Sequence, residues 1–271
     1  MSLSNSATPF LLFAALFYSV TMDLNLKDRN YLVTAASRGL GFGVAKALVE
    51  EGANVVICGR TEDSLKEAVS KLGGNVQYFV SDVSKQEDVT KLLDSTKENF
   101  HKLDGLFVNA GGPPPGTFDT ISDKDWESGF HLTLMSAIWL TRESMPLLKK
   151  ADAPSILYST SISVKQPLDN LLLSNAIRPA VIGMMRTLAG ESESGIRVNA
   201  VCPGYIYTTR VEQLMASNKS AIESIEARIP LGRMGTIEEF GAVCAFLLSP
   251  LASYVHGALV LVDGGLYRGM M

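Results

Sequence analysis

The sequence predicts one α/β domain: a single Rossmann-type, doubly wound parallel sheet of seven strands with helices on both faces. Short apolar runs alternate with amphipathic segments of roughly 10 to 17 residues, which is typical of βαβ units joined by right-handed crossovers. A glycine-rich turn stands between the first run and the first amphipathic segment. No Pro/Ser-rich linker and no internal repeat divides the 271 residues, so we expect one large domain.

The short apolar runs predict the strands. Residues 54–58 show the pattern most clearly, because a run that is apolar throughout is typical of a strand covered on both faces. The other runs are similarly short, which favours strands over helices. In chain order, strands are predicted over residues 31–33, 54–58, 76–80, 105–109, 155–159, 197–201 and 258–262.

The amphipathic segments between these runs predict the helices. Gly52 ends the first helix, and Thr61 is a candidate N-cap for the second. Pro179 fits a helix that begins near Asn175, because the N–H groups of a first turn have no intrahelical partner. In chain order, helices are predicted over residues 43–51, 61–72, 84–100, 126–150, 175–191 and 236–248.

Composition excludes several classes of protein. Hydrophobic residues make up 46% of the chain and charged residues 19%, which is enough to bury a sizeable core. The net charge of -4 and the scattered basic residues argue against nucleic acid or an anionic membrane as a partner. Cys58, Cys202 and Cys244 form no C-x-x-C pair, so we predict no metal site and no disulfide framework. Buried, reduced thiols in a cytoplasmic protein are expected, with a reactive Cys202 as the alternative.

The first 21 residues differ from the rest of the chain. Residues 9–20 form an apolar run of 12 residues, whereas a membrane span needs about 20. No basic residue precedes Lys27, unlike the start of a signal peptide. We therefore expect residues 1–21 to be an extension outside the fold and residues 22–271 to form the domain. A docking segment for a partner subunit and a weak membrane tether are the alternatives.

The glycine-rich turn, residues 34–41, predicts a dinucleotide-phosphate site. Its small residues let the backbone approach a pyrophosphate, and the helix behind it presents free N–H groups and a positive dipole end. We expect the Cβ of Ala35 to require a negative φ. Arg38 in the turn and Arg60 after the second strand favour NADP over NAD, because two guanidiniums can clamp a 2′-phosphate. Two ordinary surface arginines are the alternative.

The order of short motifs over residues 25–266 resembles the short-chain dehydrogenase/reductase family. Residues 34–41 resemble its T-G-x-x-x-G-x-G turn, with Ala35 at the first glycine, and residues 108–111 resemble its N-N-A-G segment. Residues 202–208 resemble its Pro-Gly loop beside the nicotinamide. The resemblance implies that the cofactor contacts are Thr34, Ser37, Arg38, Gly39, Leu40, Gly41, Arg60, Asp82, Val83, Asn109, Ala110, Gly111, Arg178, Pro203, Gly204 and Ile206.

The family reduces carbonyls with Asn, Ser, Tyr and Lys, and here only the serine is matched. Ser161 resembles the substrate-orienting serine, with Thr160 as the alternative register. His131 stands at the Asn position, where it could hold water or serve only in packing. Ser174 and Arg178 fall at the Tyr and Lys positions, so the phenolic acid is missing. Arg178 can hold a ribose hydroxyl or an oxyanion, but it cannot release a proton at working pH.

Two replacements for the missing acid are open. Lys165 follows Ser161 by four positions, on a loop over the expected cleft, and a partly desolvated lysine can act as an acid. A solvated loop lysine is the alternative. Tyr158, Tyr205 or Tyr207 could also reach in from other elements, although the strand position of Tyr158 directs it elsewhere. The pattern resembles a divergent branch of the family that lacks the Tyr-x-x-x-Lys pair.

The first functional hypothesis is an NADP(H)-dependent oxidoreductase, similar to a 3-oxoacyl reductase, that acts on a carbonyl or alcohol with an atypical proton donor. The alternatives are a catalytically silent nucleotide-binding protein and a reaction other than hydride transfer on the same fold. Residues 112–116, with three prolines, predict a stiff wall or a rigid surface loop, and residues 211–229 stand where the family has its mobile lid. The expected partners are a small-molecule substrate and further copies in a homodimer or homotetramer, with no nucleic acid and no membrane.

Overall fold

The computed structural model describes residues 22–191, 195–208, 211–212 and 219–270. The extension predicted over residues 1–21 lies outside the described residues, and so does part of the lid predicted over residues 211–229. Among the helices in the described ranges, none is long and apolar enough to cross a membrane.

A seven-stranded parallel sheet forms the centre of the domain, in the order β3-β2-β1-β4-β5-β6-β7. The chain runs outward from β1 to β3 and then returns to place β4 beside β1. Such a reversal opens a crevice at the carboxyl ends of the strands, where α/β sheets bind ligands. The strands are β1 (Asn30–Val33), β2 (Asn54–Gly59), β3 (Val76–Val80), β4 (Gly105–Val108), β5 (Ser155–Ser159), β6 (Arg197–Pro203) and β7 (Leu259–Val262).

Helices cover both faces of the sheet, as predicted. The first, second and last helices bury their apolar side chains against one face, and the third, fifth and sixth against the other. They are α1 (Gly39–Glu50), α2 (Glu62–Leu72), α3 (Gln86–Asn99), α4 (Asp123–Phe130), α5 (Ser136–Leu148), α6 (Leu172–Gly190), α7 (Lys219–Glu226) and α8 (Ile237–Leu248). The single doubly wound domain is therefore confirmed.

Two glycines let α1 and α8 pack in direct backbone contact. A Cβ on Gly43 would overlap the carbonyl oxygen of Ile237, and a Cβ on Gly241 would overlap the carbonyl oxygen of Gly43. This contact holds the first turn of α1 firmly at the end of β1. The glycine-rich turn is therefore mounted on a rigid support.

Two helix predictions need correction. The helix expected over residues 126–150 is interrupted by a π-helical turn at His131–Met135, which separates α4 from α5. Helix α6 begins at Leu172 and not near Asn175, so Pro179 lies inside the helix and not in its first turn. Proline has no N–H, so it cannot donate the intrahelical bond to the carbonyl of Asn175. The side chain of Pro179 is exposed, so its ring meets solvent.

Candidate active site

The turn between β1 and α1 is held from behind by β4. The Thr34 hydroxyl donates to the carbonyl of Asn109 at 2.7 Å and accepts from the Asn109 N–H at 2.8 Å. The Asn109 amide in turn donates to the carbonyls of Thr34 and Ala35. Thr34 is completely buried, so its side chain does not line the open face of the turn. Its hydroxyl instead fixes the turn in place.

Ala35 adopts a left-handed backbone conformation. Its φ is +49°, so the expectation of a negative φ is wrong. The turn doubles back under α1 so closely that a Cβ on Gly41 would lie 2.6 Å from the Ala35 carbonyl oxygen. A residue with a Cβ pays about 1–2 kcal/mol for this conformation. The alanine thus follows the path of a glycine at a cost in stability.

The N-terminus of α1 is open for an anion. Its N-cap residue, Arg38, makes no side-chain capping bond, and no acidic residue lies in its first turn. Its free N–H groups and positive dipole end therefore face the cleft without competition. Ser37, Gly39, Leu40 and Gly41 complete this end of the site.

Two unpaired guanidiniums flank the turn. Arg38 begins α1 and Arg60 directly follows β2, and both side chains are exposed. Within the described residues neither makes an ion pair or a hydrogen bond. Both are thus free to bind a phosphate bidentately. Farther along the sheet edge, the Asp82 carboxylate accepts hydrogen bonds from Ser84.

Ser161 presents its hydroxyl at the end of β5. Its Oγ accepts the Ser163 N–H at 3.1 Å and caps a 3₁₀ turn at Ile162–Val164. The neighbouring Thr160 is buried and donates its hydroxyl to the Val201 carbonyl at 3.0 Å. Of the two possible registers, Ser161 is therefore the one with a partly exposed hydroxyl beside the cleft.

Ser174 and Arg178 form one hydrogen-bonded unit. Arg178 Nε donates to Ser174 Oγ at 2.9 Å, and its Nη1 donates to the carbonyls of Ser159 and Thr160 at 3.3 and 3.0 Å. Ser174 is buried, with its Oγ also 3.2 Å from that of Ser163. The Ser174 hydroxyl therefore orients the guanidinium, and a catalytic role for Ser174 stays a prediction. Burial lowers the pKa of Arg178 to about 10, so the group stays cationic at neutral pH.

A small cavity of about 20 Å³ lies beside Arg178. Asn109, Thr133, Tyr158 and Thr160 are among its other lining residues. The Thr133 hydroxyl is buried there without a hydrogen-bond partner in the described part of the chain. The volume suffices for about one water molecule.

His131 does not lie at this cleft, contrary to the prediction that made it a catalytic candidate. Its ring is exposed and packs edge-on against Trp139 at 5.7 Å between centroids. It lines a surface groove with Lys85 and Thr90 on the α3 side. The π-helical turn that begins at His131 carries the ring to the outside of α4, which supports the packing alternative.

Lys165 ends the 3₁₀ turn that Ser161 caps and is half-buried. Its charge and that of Arg178 both act on the Cys202 thiol. Burial nevertheless raises the pKa of Cys202, so the thiol remains protonated at neutral pH. A reactive Cys202 therefore lacks support.

Two of the three tyrosines considered as acids are engaged elsewhere. Tyr158 is fully buried, with its hydroxyl 2.7 Å from that of Thr141. The Tyr205 hydroxyl accepts from Arg228 at 2.7 Å. Tyr207 is 41% exposed, and no hydrogen bond joins its hydroxyl to another of the described residues. The aromatic ring at the cleft mouth belongs instead to Tyr267, whose centroid lies 5.9 Å from Lys165 Nζ.

Sequence reasoning missed Tyr267. The only signal for it was its position shortly after the Val262-Asp263-Gly264-Gly265 segment, which gave no indication of the side chain's direction. In the described residues, no group of three or more His, Cys, Asp or Glu side chains is arranged to hold a metal ion.

The chain is similar to known reductases over most of its length. A family described as enoyl-(acyl carrier protein) reductase matches residues 34–267. Tropinone reductase-like 3 from Erythroxylum coca is 34% identical over 242 residues, 86% of this chain and 91% of that protein. The 3-oxoacyl-[acyl-carrier-protein] reductase of Chlamydia pneumoniae is 33% identical over 249 residues, 90% and 99% of the two chains. An NADPH-bound short chain oxidoreductase from Pseudomonas aeruginosa PAO1 with an atypical catalytic center superposes with a TM-score of 0.84 and 28% identity, covering 90% and 99%.

Proposed function

The chain belongs to the short-chain dehydrogenase/reductase family, and we propose that it reduces a carbonyl with NADPH or oxidises the corresponding alcohol with NADP⁺. One observation carries this proposal. An open helix N-terminus, flanked by two arginines that have no partner in the described part of the chain, lies on the same carboxyl edge of the sheet as Ser161, Lys165 and Arg178. A dinucleotide site and a set of polar side chains suited to a carbonyl therefore adjoin each other.

NADP(H) fits the residues of the cleft. The free N–H groups of α1 suit the pyrophosphate, and Arg38 and Arg60 suit the 2′-phosphate. When bound, the cofactor supplies or accepts the hydride. The names of the related reductases support the same cofactor, since the Pseudomonas aeruginosa protein is described with NADPH bound.

Arg178 serves as the fixed cation of the site. Three donor contacts hold its guanidinium across the end of β5, so it can orient a ribose hydroxyl or stabilise negative charge on the substrate oxygen without reorganising. Ser161 orients the same oxygen through its hydroxyl. Neither group supplies the proton: the hydroxyl of serine is a poor acid, and arginine holds its proton at working pH.

Lys165 is the proton donor in this proposal. Its Nζ forms no ion pair and no hydrogen bond with the described residues, and its position past Ser161 brings an ammonium to the same cleft. An ammonium at hydrogen-bond distance from the substrate oxygen can transfer a proton to it as the hydride arrives. After turnover the neutral amine regains a proton from solvent, to which the half-buried side chain is open.

A nucleotide-binding protein without catalysis is the second candidate. It is favoured by the engagement of Ser174 with Arg178 and by the hydrogen bonds that hold Tyr158 and Tyr205 elsewhere. Under this reading NADPH binds to the cleft and no carbonyl is reduced.

Turnover assays separate the two candidates. NADPH oxidation is followed with a panel of 3-oxoacyl thioesters, cyclic ketones and ketoses, in parallel with NADPH binding. We expect turnover that Ser161→Ala and Lys165→Met each reduce by at least about 100-fold. Lys149→Met, at the exposed residue directly after α5, should leave turnover unchanged. Tight NADPH binding without turnover of any panel member would favour the silent protein. Full activity of Lys165→Met would show that another group donates the proton.

A homo-oligomer through α5 and α6 belongs to the same proposal. Ala176, Ala180 and Gly183 are exposed along one side of α6, and nothing lies within 4 Å of the Cβ position of Gly183. Small residues of this kind let a second helix approach closely. Light scattering tests this: Gly183→Arg should convert a dimer or tetramer to a smaller species, and an unchanged mass would argue against α6 as the interface.

A further inference from the structure

The segment after β7, residues 263–270, is hereafter the C-terminal tail, and Asp263 anchors it. The Asp263 carboxylate accepts the N–H groups of Gly265 at 3.0 Å and of Tyr267 at 2.8 Å. Its carbonyl accepts the N–H of Leu266 at 3.2 Å. Three bonds to one residue close a tight turn, and this turn determines the direction in which the Tyr267 side chain leaves the backbone.

Packing holds the tail on its other side. Leu266 packs against a small apolar cluster of Ile222, Ile229 and Met234, which lies under α7 and the segment that follows it. The ring of Pro230 lies against Gly265. Tyr267 is accordingly half-buried, and its position is defined although it stands only four residues from the end of the chain.

The ring of Tyr267 is the contact that Lys165 makes at the cleft mouth. Lys165 Nζ lies 5.9 Å from the ring centroid, a distance at which the negative face of the ring attracts an ammonium. Arg178 on α6 and Asp263 at the start of the tail are charged groups that act, like Lys165, on the Cys202 thiol. The ring face therefore favours an ammonium held here over one that turns outward to solvent.

We propose that Tyr267 is a positioning residue for Lys165, whose ammonium its ring face holds over the cleft in the orientation needed to protonate the substrate oxygen. This inference rests on the proposed function, in which Lys165 is the acid. A lysine side chain carries four flexible carbons, so a loop lysine without such a contact spreads over many directions. The tail thereby supplies an aromatic ring to a cation from a distant part of the chain.

Nuclear magnetic resonance tests the contact without a substrate. The lysines are reductively methylated with ¹³C, and the Lys165 signal is assigned by its loss in Lys165→Arg. We expect the Lys165 signal to show an upfield ring-current shift in the native protein and in Tyr267→Phe. In Tyr267→Leu the signal should remain, but without the upfield shift. Tyr254→Leu is the matched control, because Tyr254 is fully exposed at 103% relative accessibility. A Lys165 signal that is the same in the native protein and in Tyr267→Leu would overturn the proposal.

Kinetics then separate positioning from the proposed function. We expect Tyr267→Leu to lower kcat by roughly three- to tenfold with the KM for NADPH unchanged, and Tyr267→Phe to stay near the native value. Activity in Lys165→Met would refute Lys165 as the acid. An inactive Lys165→Met together with native-like kinetics in Tyr267→Leu would refute only the positioning role. A loss in Tyr267→Phe equal to that in Tyr267→Leu would assign the effect to the phenol.

Discussion

Arg178 donates its Nε hydrogen to the hydroxyl of Ser174 at 2.9 Å, so the two residues at the family's tyrosine and lysine positions act as one unit. Ser174→Ala would leave a buried guanidinium N–H without its acceptor. We expect a loss of about 1–3 kcal/mol in the free energy of unfolding and several-fold weaker NADPH binding. Urea unfolding and binding titrations check both effects, with the exposed Ser70→Ala on α2 as the control. Unchanged stability would show that Ser174 does not support Arg178.

Ala35 occupies a position where glycine would be less strained, since its φ is +49°. Replacing it by glycine removes a conformational cost of about 1–2 kcal/mol and adds a smaller entropic cost in the unfolded chain. We expect Ala35→Gly to stabilise the protein by about 0.5–1 kcal/mol, measured by thermal unfolding. The neighbouring Ala36→Gly, where φ is not positive, should destabilise it by a similar amount. Two changes of the same sign would contradict this account.

Arg38 and Arg60 should determine the choice between NADPH and NADH. Each exposed guanidinium is free of protein partners in the described residues, and a charged hydrogen bond to the 2′-phosphate contributes about 1.5–3 kcal/mol. We expect Arg38→Ala and Arg60→Ala each to raise the Kd for NADPH by roughly 10- to 100-fold. NADH lacks the 2′-phosphate and serves as the internal control, so its Kd should hardly change. Equally weakened binding of NADPH and NADH would show that the arginines do not contact the 2′-phosphate.

Arg197 should be needed for stability rather than chemistry. Its guanidinium is buried and donates to the carbonyls of Leu247 and Ser249, both at 2.8 Å, at the C-terminal end of α8. Arg197→Met leaves those carbonyls without a donor, which should cost about 2–5 kcal/mol in the free energy of unfolding. Arg197→Lys should recover part of this loss, because one ammonium can still reach the helix end. Denaturant unfolding of the three proteins should give a free energy of unfolding that is highest in the native protein, lower in Arg197→Lys and lowest in Arg197→Met.

Cys58 should make stability fall in alkaline solution. Burial raises the pKa of its thiol from 9.0 to about 12, so the folded state keeps a proton that the unfolded chain loses above pH 9. The stability that the thiol contributes is complete below pH 9 and is lost as the pH rises toward 12. The expected slope is about −1.4 kcal/mol per pH unit. Urea unfolding between pH 8 and about pH 10.5 gives the free energy of unfolding as a function of pH. Its slope against pH should be shallower by this amount in Cys58→Ala than in the native protein. Equal slopes in the two proteins would refute the burial argument.

Local pattern was enough to predict the sheet and its covering helices. The run over residues 54–58 is apolar throughout because its strand is covered on both faces, and β2 occupies Asn54–Gly59. The dinucleotide end was equally accessible to sequence reasoning, because the turn, α1 and Arg38 are consecutive in the chain. Its errors were local: no sequence pattern revealed that Ala35 takes a positive φ or that Thr34 is buried.

Only the tertiary structure decided what each polar side chain of the catalytic end does. Spacing placed His131 and Ser174 at motif positions, but a π-helical turn sends the first outward and a buried guanidinium engages the second. The pairing of Lys165 with Tyr267 joins residues far apart in the chain. A periodic pattern encodes the face on which a residue lies, because helix and strand geometry repeat locally. Side-chain direction and distant contacts depend on how the elements pack. The identity of the proton donor depends on such contacts, so local sequence pattern does not determine it.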